Sequence, residues 1–478
     1  MEPSVYRFRS THALLDGFHE LENQEIYFAS SPEQNDALEG FKDLFWRGDV
    51  MVWSNLLRHY LLCLMHSVVR TLEQGPNFQL AVETLPVTVI PEDLNPDARK
   101  LFDALCTRFF EDTELAELPA LLAERSSPIR RNEILSLFWP LHFRLLTLVC
   151  TTLSPEQPVH AIDAYFRAQL QRSLRLKESF AALNQMDTKR TDSADIVEAM
   201  TSKVVSGITQ ATFIREYVGA NQSHGTAWNV ISSTFPELYF NALESLLYYD
   251  WYTACFVAEP TQSAMWGHYG DGYRGVCLKF KTSASSTGRP ALTLRYPVGT
   301  SGTAKNSSQV YEFRPLELDE VLYRDRYAEI DFFRSLGRLT HRQLAFWFGD
   351  ANGAMSSTGV DLLQESESWR QAYWESFHRA ITTKLKGWQH EREYRVTLHS
   401  MIADLSDRSS RKLQYRFEDL EAIIFGMKTS TEDKLAIVHL IQDKCKKAGR
   451  KDFEFHQTYY SRQTGKVATA LWDLVKLT

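Results

Sequence analysis

The chain has 478 residues, of which 44% are hydrophobic, 12% aromatic and 24% charged, and this composition excludes a disordered tail, a fibrous repeat and a disulfide-held miniprotein. Lys and Arg number 53 against 60 Asp and Glu, a net charge of -7, so no global positive field recruits nucleic acid. At roughly 100 to 200 residues per domain, the length predicts about two or three domains, or one domain with a large insertion.

The six cysteines (Cys63, Cys106, Cys150, Cys255, Cys277 and Cys445) lie far apart without a C-x-x-C pair, mostly in apolar runs. They read as reduced core cysteines of a cytoplasmic chain. The opening MEPSVYRFRS is too polar for a signal peptide. The most apolar stretches, LLRHYLLCLMHSVV and FWPLHFRLLTLVCTTL, are shorter than a membrane span and carry Arg58, His59, His66, His142 and Arg144. No membrane partner is expected.

Residues 4–36 read as strand, helix, strand and loop. SVYRFRS alternates Tyr6 and Phe8 against Arg7 and Arg9, HALLDGFHELENQ has helical spacing, and EIYFAS alternates again before SSPEQND. From Phe41 to about Tyr249 the apolar period changes to 3.6, as in FKDLFWRGDVMVWSNLLRHYLLCLMHSVVRTLEQ, and a helical block of about 200 residues is predicted. Trp46, Trp53, Leu57, Tyr60 and Phe138 at helical spacing read as its core, with one face left for a protein partner. Strand signals return in WYTACFVA, GVCLKFK, ALTLRYPV, REYRVTLHS and EAIIFGM, with helices at 330–350 and 366–385 and a hairpin or surface loop from Thr282 to Thr303. The two strand-rich pieces, 1–40 and 250–478, are each short of a full sheet core. The economical arrangement is one α/β core domain interrupted by a helical insertion at 41–249.

Four polar constellations stand out in the strand-rich pieces. Arg7 and Arg9 project from one face of a strand, as a solvated or ion-paired face or as a phosphate clamp. Ser30, Ser31, Asn35 and Asp36 end the next strand and read as turn residues or as a polar pocket edge. In MWGHYGDGYRGVCLKF, Trp266, His268 and Tyr269 sit among glycines, a composition suited to close approach of a flat ligand, although His268 reads equally as a core histidine bonded to a carbonyl. No second histidine lies at metal-ligand spacing, so no metal is expected. In WQHEREYRV, Glu391 and Glu393 share a strand face with Arg395, as a salt-bridged surface or as two carboxylates dividing labour at an active site.

The order YRFRS, ALLDGFHELENQEIYFASSPEQND, AMWGHYGDGYRGVCLKF, WQHEREYRV and EAIIFGM resembles the bacterial family catalogued as domain of unknown function 2971. The loop from Pro32 to Leu38 and the long helical insertion depart from that family's pattern. More distantly, the layout is similar to the ADP-ribosyltransferase fold. The fold class this implies is α+β, a mixed split sheet interrupted by the all-helical insertion.

The second resemblance implies NAD as substrate. Arg7 or Arg9 would hold its pyrophosphate or ribose, Tyr27 or Ser30 would line the nicotinamide pocket, Glu393 would bond the ribose 2'-hydroxyl, and Glu391 would position the acceptor. Trp266 and Tyr269 would stack on nicotinamide, with His268 beside them. The expected function is an NAD-consuming ADP-ribosyltransferase or NAD glycohydrolase, of the kind used as toxic effectors in bacterial anti-phage defence, acting on an unidentified acceptor macromolecule. Two other readings stand beside it: a nucleotide-sensing module without catalysis, and a magnesium-dependent nuclease using Asp271, Glu391 and Glu393.

Overall fold

The computed structural model describes residues 4–75, 77–153, 175–189, 193–217, 226–303, 306–401 and 403–475. Residues 154–174, part of the expected helical block, lie outside these. The chain's contacts divide it into two units, one of residues 1–41, 249–328 and 378–478, the other of residues 42–248 and 329–377.

The first unit is built on a mixed sheet with eight strands among the described residues: β1 (Ser4–Arg9), β2 (Trp251–Val257), β3 (Val276–Lys281), β4 (Asp319–Glu320), β5 (Glu393–His399), β6 (Leu420–Phe425), β7 (Glu454–Ser461) and β8 (Lys466–Leu471). They run in the order β4-β5-β2-β1-β3-β6-β7-β8. All neighbours are antiparallel except β6 and β7, whose parallel pairing is bridged by the helix Thr431–Ala448. β1 is therefore central, with Tyr6 opposite Val257 of β2 and Ser4 to Arg9 opposite Lys281 to Val276 of β3.

Side-chain alternation divides this sheet into two chemistries. One face carries Val5, Ala254, Phe256, Leu278, Phe280, Val396 and Leu398 into a large core with Ile437 and Ile441 of the helix. The other carries Phe8, Val257 and Cys277 into a smaller core with Met265 and Trp266. The predicted tract at 282–303 supplies the first strand of a hairpin, Pro290–Thr303 paired with Asn306–Glu317.

The second unit is mostly helical. Among the described residues its longest helices are Val50–Gln74 and Ser193–Tyr217, with Arg131–Leu153 close behind. Asp49 caps the first by accepting from the amides of Met51 and Val52. Arg131–Leu153 has 23 residues, longer than the apolar stretch read from sequence because RNEILSL joins it at the front. By length and composition alone it could cross a membrane, but 67% of its most apolar window is buried inside the fold.

Sequence reading assigned residues 329–377 to the α/β core, yet their contacts are with the helical unit. Glu329–Asp331 pairs in parallel with Asp43–Trp46, Asn55 donates to the carbonyls of Trp347 and Gly349, and Asp49 accepts from Ser356 and Ser357. Among the described residues, the core of this unit holds two buried histidines. His59 Nε2 donates to the Val87 carbonyl (2.9 Å) while Nδ1 accepts from Tyr239 (2.8 Å). His142 Nε2 donates to the Ile231 carbonyl (2.6 Å) while Nδ1 accepts from Tyr60 (2.8 Å).

Burial pulls both imidazoles down to about 4 from an ordinary 6.5. The unfolded chain therefore binds more protons below pH 6.5, and the stability these histidines contribute is complete above that pH and lost as the pH falls toward about 4. Urea unfolding followed by the helical circular dichroism signal should show a midpoint that declines across this window. A midpoint unchanged down to pH 4 would contradict it.

Candidate functional site

Five charged side chains converge where β5 begins. The short strand Thr383–Leu385 supplies Lys384, the turn Lys386–Glu391 supplies Glu391, and β5 supplies Glu393 and Arg395. Glu39 arrives from the loop that follows the turn Ser31–Glu33. None of the five is more than 5% exposed. Burial of this kind demands that every charge be paired and hydrogen-bonded.

Lys384 Nζ lies 2.7 Å from Glu391 Oε2, 2.7 Å from Glu393 Oε2 and 3.6 Å from Glu39 Oε2. Arg395 Nε donates to Glu393 Oε1 at 2.8 Å, and its two terminal nitrogens fork onto Glu39 at 2.5 and 2.9 Å. The Tyr269 hydroxyl donates to Glu391 Oε1 at 2.7 Å. All four oxygens of Glu391 and Glu393 are thus engaged.

Backbone geometry sets up this convergence. Glu391 stands at the end of a tight helical turn rather than on a strand, and Arg392 after it adopts a left-handed conformation (φ 46°) that starts β5 with Glu393 aimed back at the same lysine. Such a conformation costs a non-glycine residue about 1 to 3 kcal/mol and persists where neighbours over-determine it. The Tyr323 hydroxyl does so by accepting from the Glu393 amide, and Arg392 itself reaches Glu259.

Burial alone would raise the Glu393 carboxyl, but Arg395 and Lys384 outweigh it and hold the group at about 2. Burial likewise works against the Lys384 ammonium, yet Glu393, with Glu39 and Glu391, keeps it protonated above its usual range. Burial and Glu391 push the Tyr269 hydroxyl well up. Near neutral pH the site is an ionised carboxylate bound to two cations, with neutral phenols beside it.

A cavity of about 60 Å³ adjoins the cluster, walled by Tyr6, Phe8, Gln34, Val257, Met265 and Tyr269 together with Lys384, Glu391 and Glu393. Sites that enclose drug-sized ligands hold roughly 300 to 1,000 Å³, so in this state the cavity admits a small group and no whole dinucleotide.

Of the residues singled out from sequence, Glu391, Glu393 and Tyr269 meet at this cavity. The others do not. Arg7 and Arg9 leave β1 on the opposite face from Tyr6 and Phe8. Arg7 donates to the carbonyls of Tyr27 (2.9 Å) and Cys255 (3.4 Å) and lies over the Phe256 ring, while Arg9 forks onto Glu20. Burial and the Arg9 charge lower Arg7 to about 10, still protonated at neutral pH.

Tyr27 turns its hydroxyl to Glu33, which also accepts from the amide and hydroxyl of Ser30. Trp266 is fully buried, edge-on to Phe8, with its indole N–H on the Pro260 carbonyl. His268 is exposed at the end of the short helix Ser263–His268. The glycines here let two chain segments approach each other: a Cβ on Gly275 would sit 2.4 Å from the Arg9 carbonyl oxygen.

Sequence reasoning missed Lys384, Glu39 and Gln34. Lys384 stands seven residues before Glu391 in a segment of helical pattern, and position 39 follows a loop of ordinary turn composition. A lysine within the otherwise uncharged run AITTKL was the one signal available for the first.

Replacing Lys384 leaves three carboxylates facing Arg395 alone. Breaking a buried pair in this way costs about 3 to 5 kcal/mol, so Lys384→Met should lower the urea midpoint by a corresponding amount. A variant as stable as the parent would show that the cluster is not a closed charge network.

No curated protein and no solved structure matches the chain. Residues 265–396, the segment that runs from the aromatic turn to the paired glutamates, match the model of the family described as Protein of unknown function (DUF2971), and over that segment the family resemblance read from the sequence holds.

Proposed function

We propose that the Glu391/Glu393 cavity is the active site of an NAD-consuming enzyme, an ADP-ribosyltransferase or NAD glycohydrolase. The observation that carries this reading is Glu393, a buried carboxylate held ionised at about 2 on the wall of a cavity otherwise lined largely by aromatic and apolar side chains. When the bond between ribose C1' and nicotinamide breaks, its electron pair leaves with nicotinamide and C1' gains oxocarbenium character. A fixed negative charge favours that state over the ground state. The acceptor, or water, then bonds to C1' and loses a proton, for which Glu391 is the neighbouring carboxylate.

Tyr269 keeps the stacking role read onto it and Trp266; Tyr6 and Phe8 take the place of Trp266, and the three exclude the water that competes with an acceptor. The arginines of β1 have no part in this reading. A cytoplasmic location, a role as a toxin-type effector in bacterial defence, an acceptor macromolecule and a protein partner at the helical unit belong to the same proposal.

A second reading, nucleotide binding without turnover, is favoured by one observation: every oxygen of the two carboxylates already has a partner. The metal-nuclease reading has less support, because Asp271 forms a surface ion pair with Arg274 (3.0 Å).

Incubation with NAD should release nicotinamide, and Glu393→Gln should slow that release by about two to four orders of magnitude, the range for a lost positioned acid-base or electrostatic group. Glu391→Gln should lower transfer to an acceptor more than hydrolysis by water. NAD bound without any nicotinamide release would select the second reading, and release undiminished in Glu393→Gln would remove Glu393 from the chemistry.

A further inference from the structure

The charged cluster holds three carboxylates and two cations. Without Glu39 it would be balanced, Lys384 and Arg395 against Glu391 and Glu393. Glu39 is the surplus charge, and it differs from the other four in origin. They come from residues 384–395, whereas Glu39 is delivered by a loop whose adjacent Ala37 and Leu38 are exposed. Gly40 turns that loop back at φ 73°, where a Cβ would meet Ser31 and Trp251.

The way Glu39 is held is that of a bound oxyanion. Both terminal nitrogens of Arg395 fork onto its two oxygens, and Lys384 stands 3.6 Å away. Such a fork is the usual protein cradle for carboxylate or phosphate. The same loop contributes Gln34 to the cavity wall, fastened there by a hydrogen bond to the Thr253 hydroxyl. Withdrawing this one segment would therefore free the side of Arg395 and Lys384 that Glu39 covers and take Gln34 from the wall of a cavity otherwise too small for a nucleotide.

We infer that Arg395 and Lys384 form a binding site for a singly charged oxyanion group of a ligand, such as one phosphate of a pyrophosphate diester, and that Glu39 occupies it in the absence of that ligand. Replacing one negative charge by one leaves the cluster's balance unaltered. A phosphomonoester, with about two charges at neutral pH, would bury an additional negative charge and is disfavoured. The choice of a pyrophosphate rests on the NAD reading, and it supplies an anion site that the β1 arginines do not.

The test uses ADP-ribose as probe, with AMP for comparison. Glu39→Gln keeps the side-chain shape but removes the competing charge, so by calorimetry it should bind ADP-ribose about ten-fold or more tighter than the parent chain, because the occupied state no longer taxes affinity. The gain for AMP should be smaller. Equal or weaker ADP-ribose affinity in a folded Glu39→Gln protein would overturn the inference.

Should that variant fail to fold, the parent chain answers by hydrogen exchange. Saturating ADP-ribose should speed exchange of the Leu38, Glu39 and Phe41 amides, which are bonded within the loop to Asp36 and Leu38. Unchanged or slowed exchange there would also overturn it. Tightening in Glu39→Gln without nicotinamide release from NAD would sink the enzymatic reading alone, whereas nicotinamide release without tightening would sink only this one.

Discussion

The first unit's charged cluster depends on one ammonium group. Lys384 Nζ stands 2.7 Å from a carboxylate oxygen of Glu391 and 2.7 Å from one of Glu393, with almost no access to solvent. Two unit charges about 4 Å apart are worth roughly 4 kcal/mol at an effective dielectric near 20. Removing each ion from water costs several kcal/mol. The two terms oppose each other, so this cluster is read as defining geometry more than adding net stability. The left-handed Arg392, the tight turn before it and the Tyr323 hydroxyl on the Glu393 amide are all consistent with that role, since each fixes where a carboxylate points.

The pairing of Glu391 with Glu393 was visible in the chain because the two stand close together beside a strand pattern, and the structure brings them to one lysine. The same alternation placed Arg7 and Arg9 on a common face, and they do share one. What alternation cannot supply is which face meets the cavity. Val5 belongs to the arginine side and enters the large core, and Arg7 is drawn in with it by two backbone carbonyls and the Phe256 ring. Tyr6 and Phe8, read only as the other face of the same strand, line the cavity instead. Lys384 offered no more than its place in an uncharged run and Glu39 nothing at all, because their meeting is a product of tertiary topology, 345 positions apart in sequence.

The fold divides along the same line. Strands with clear alternation were readable, including β1, β2, β3, β5 and β6. β7 (EFHQTYYS), which mixes polar and aromatic residues, and β8 (KVATAL), the edge strand, were not. Residues 329–377 were placed with the sheet because they follow strand signals in sequence, yet a three-residue parallel pairing with Asp43–Trp46 and the Asn55 and Asp49 side chains hold them to the helices. Contacts between segments nearly 300 residues apart leave no local periodicity to read.

β1 also carries a parity constraint. Its residues alternate cation and aromatic from Tyr6 to Arg9, and it is hydrogen-bonded to a neighbour on each side. A shift of its pairing by a single position would exchange the two sets: guanidinium groups would enter the aromatic-walled hollow, and phenyl rings would take their place among backbone carbonyls. Six consecutive partners along β3 stand against that slip. Insertions or deletions within this strand are thus far more disruptive than substitutions that preserve its odd and even pattern.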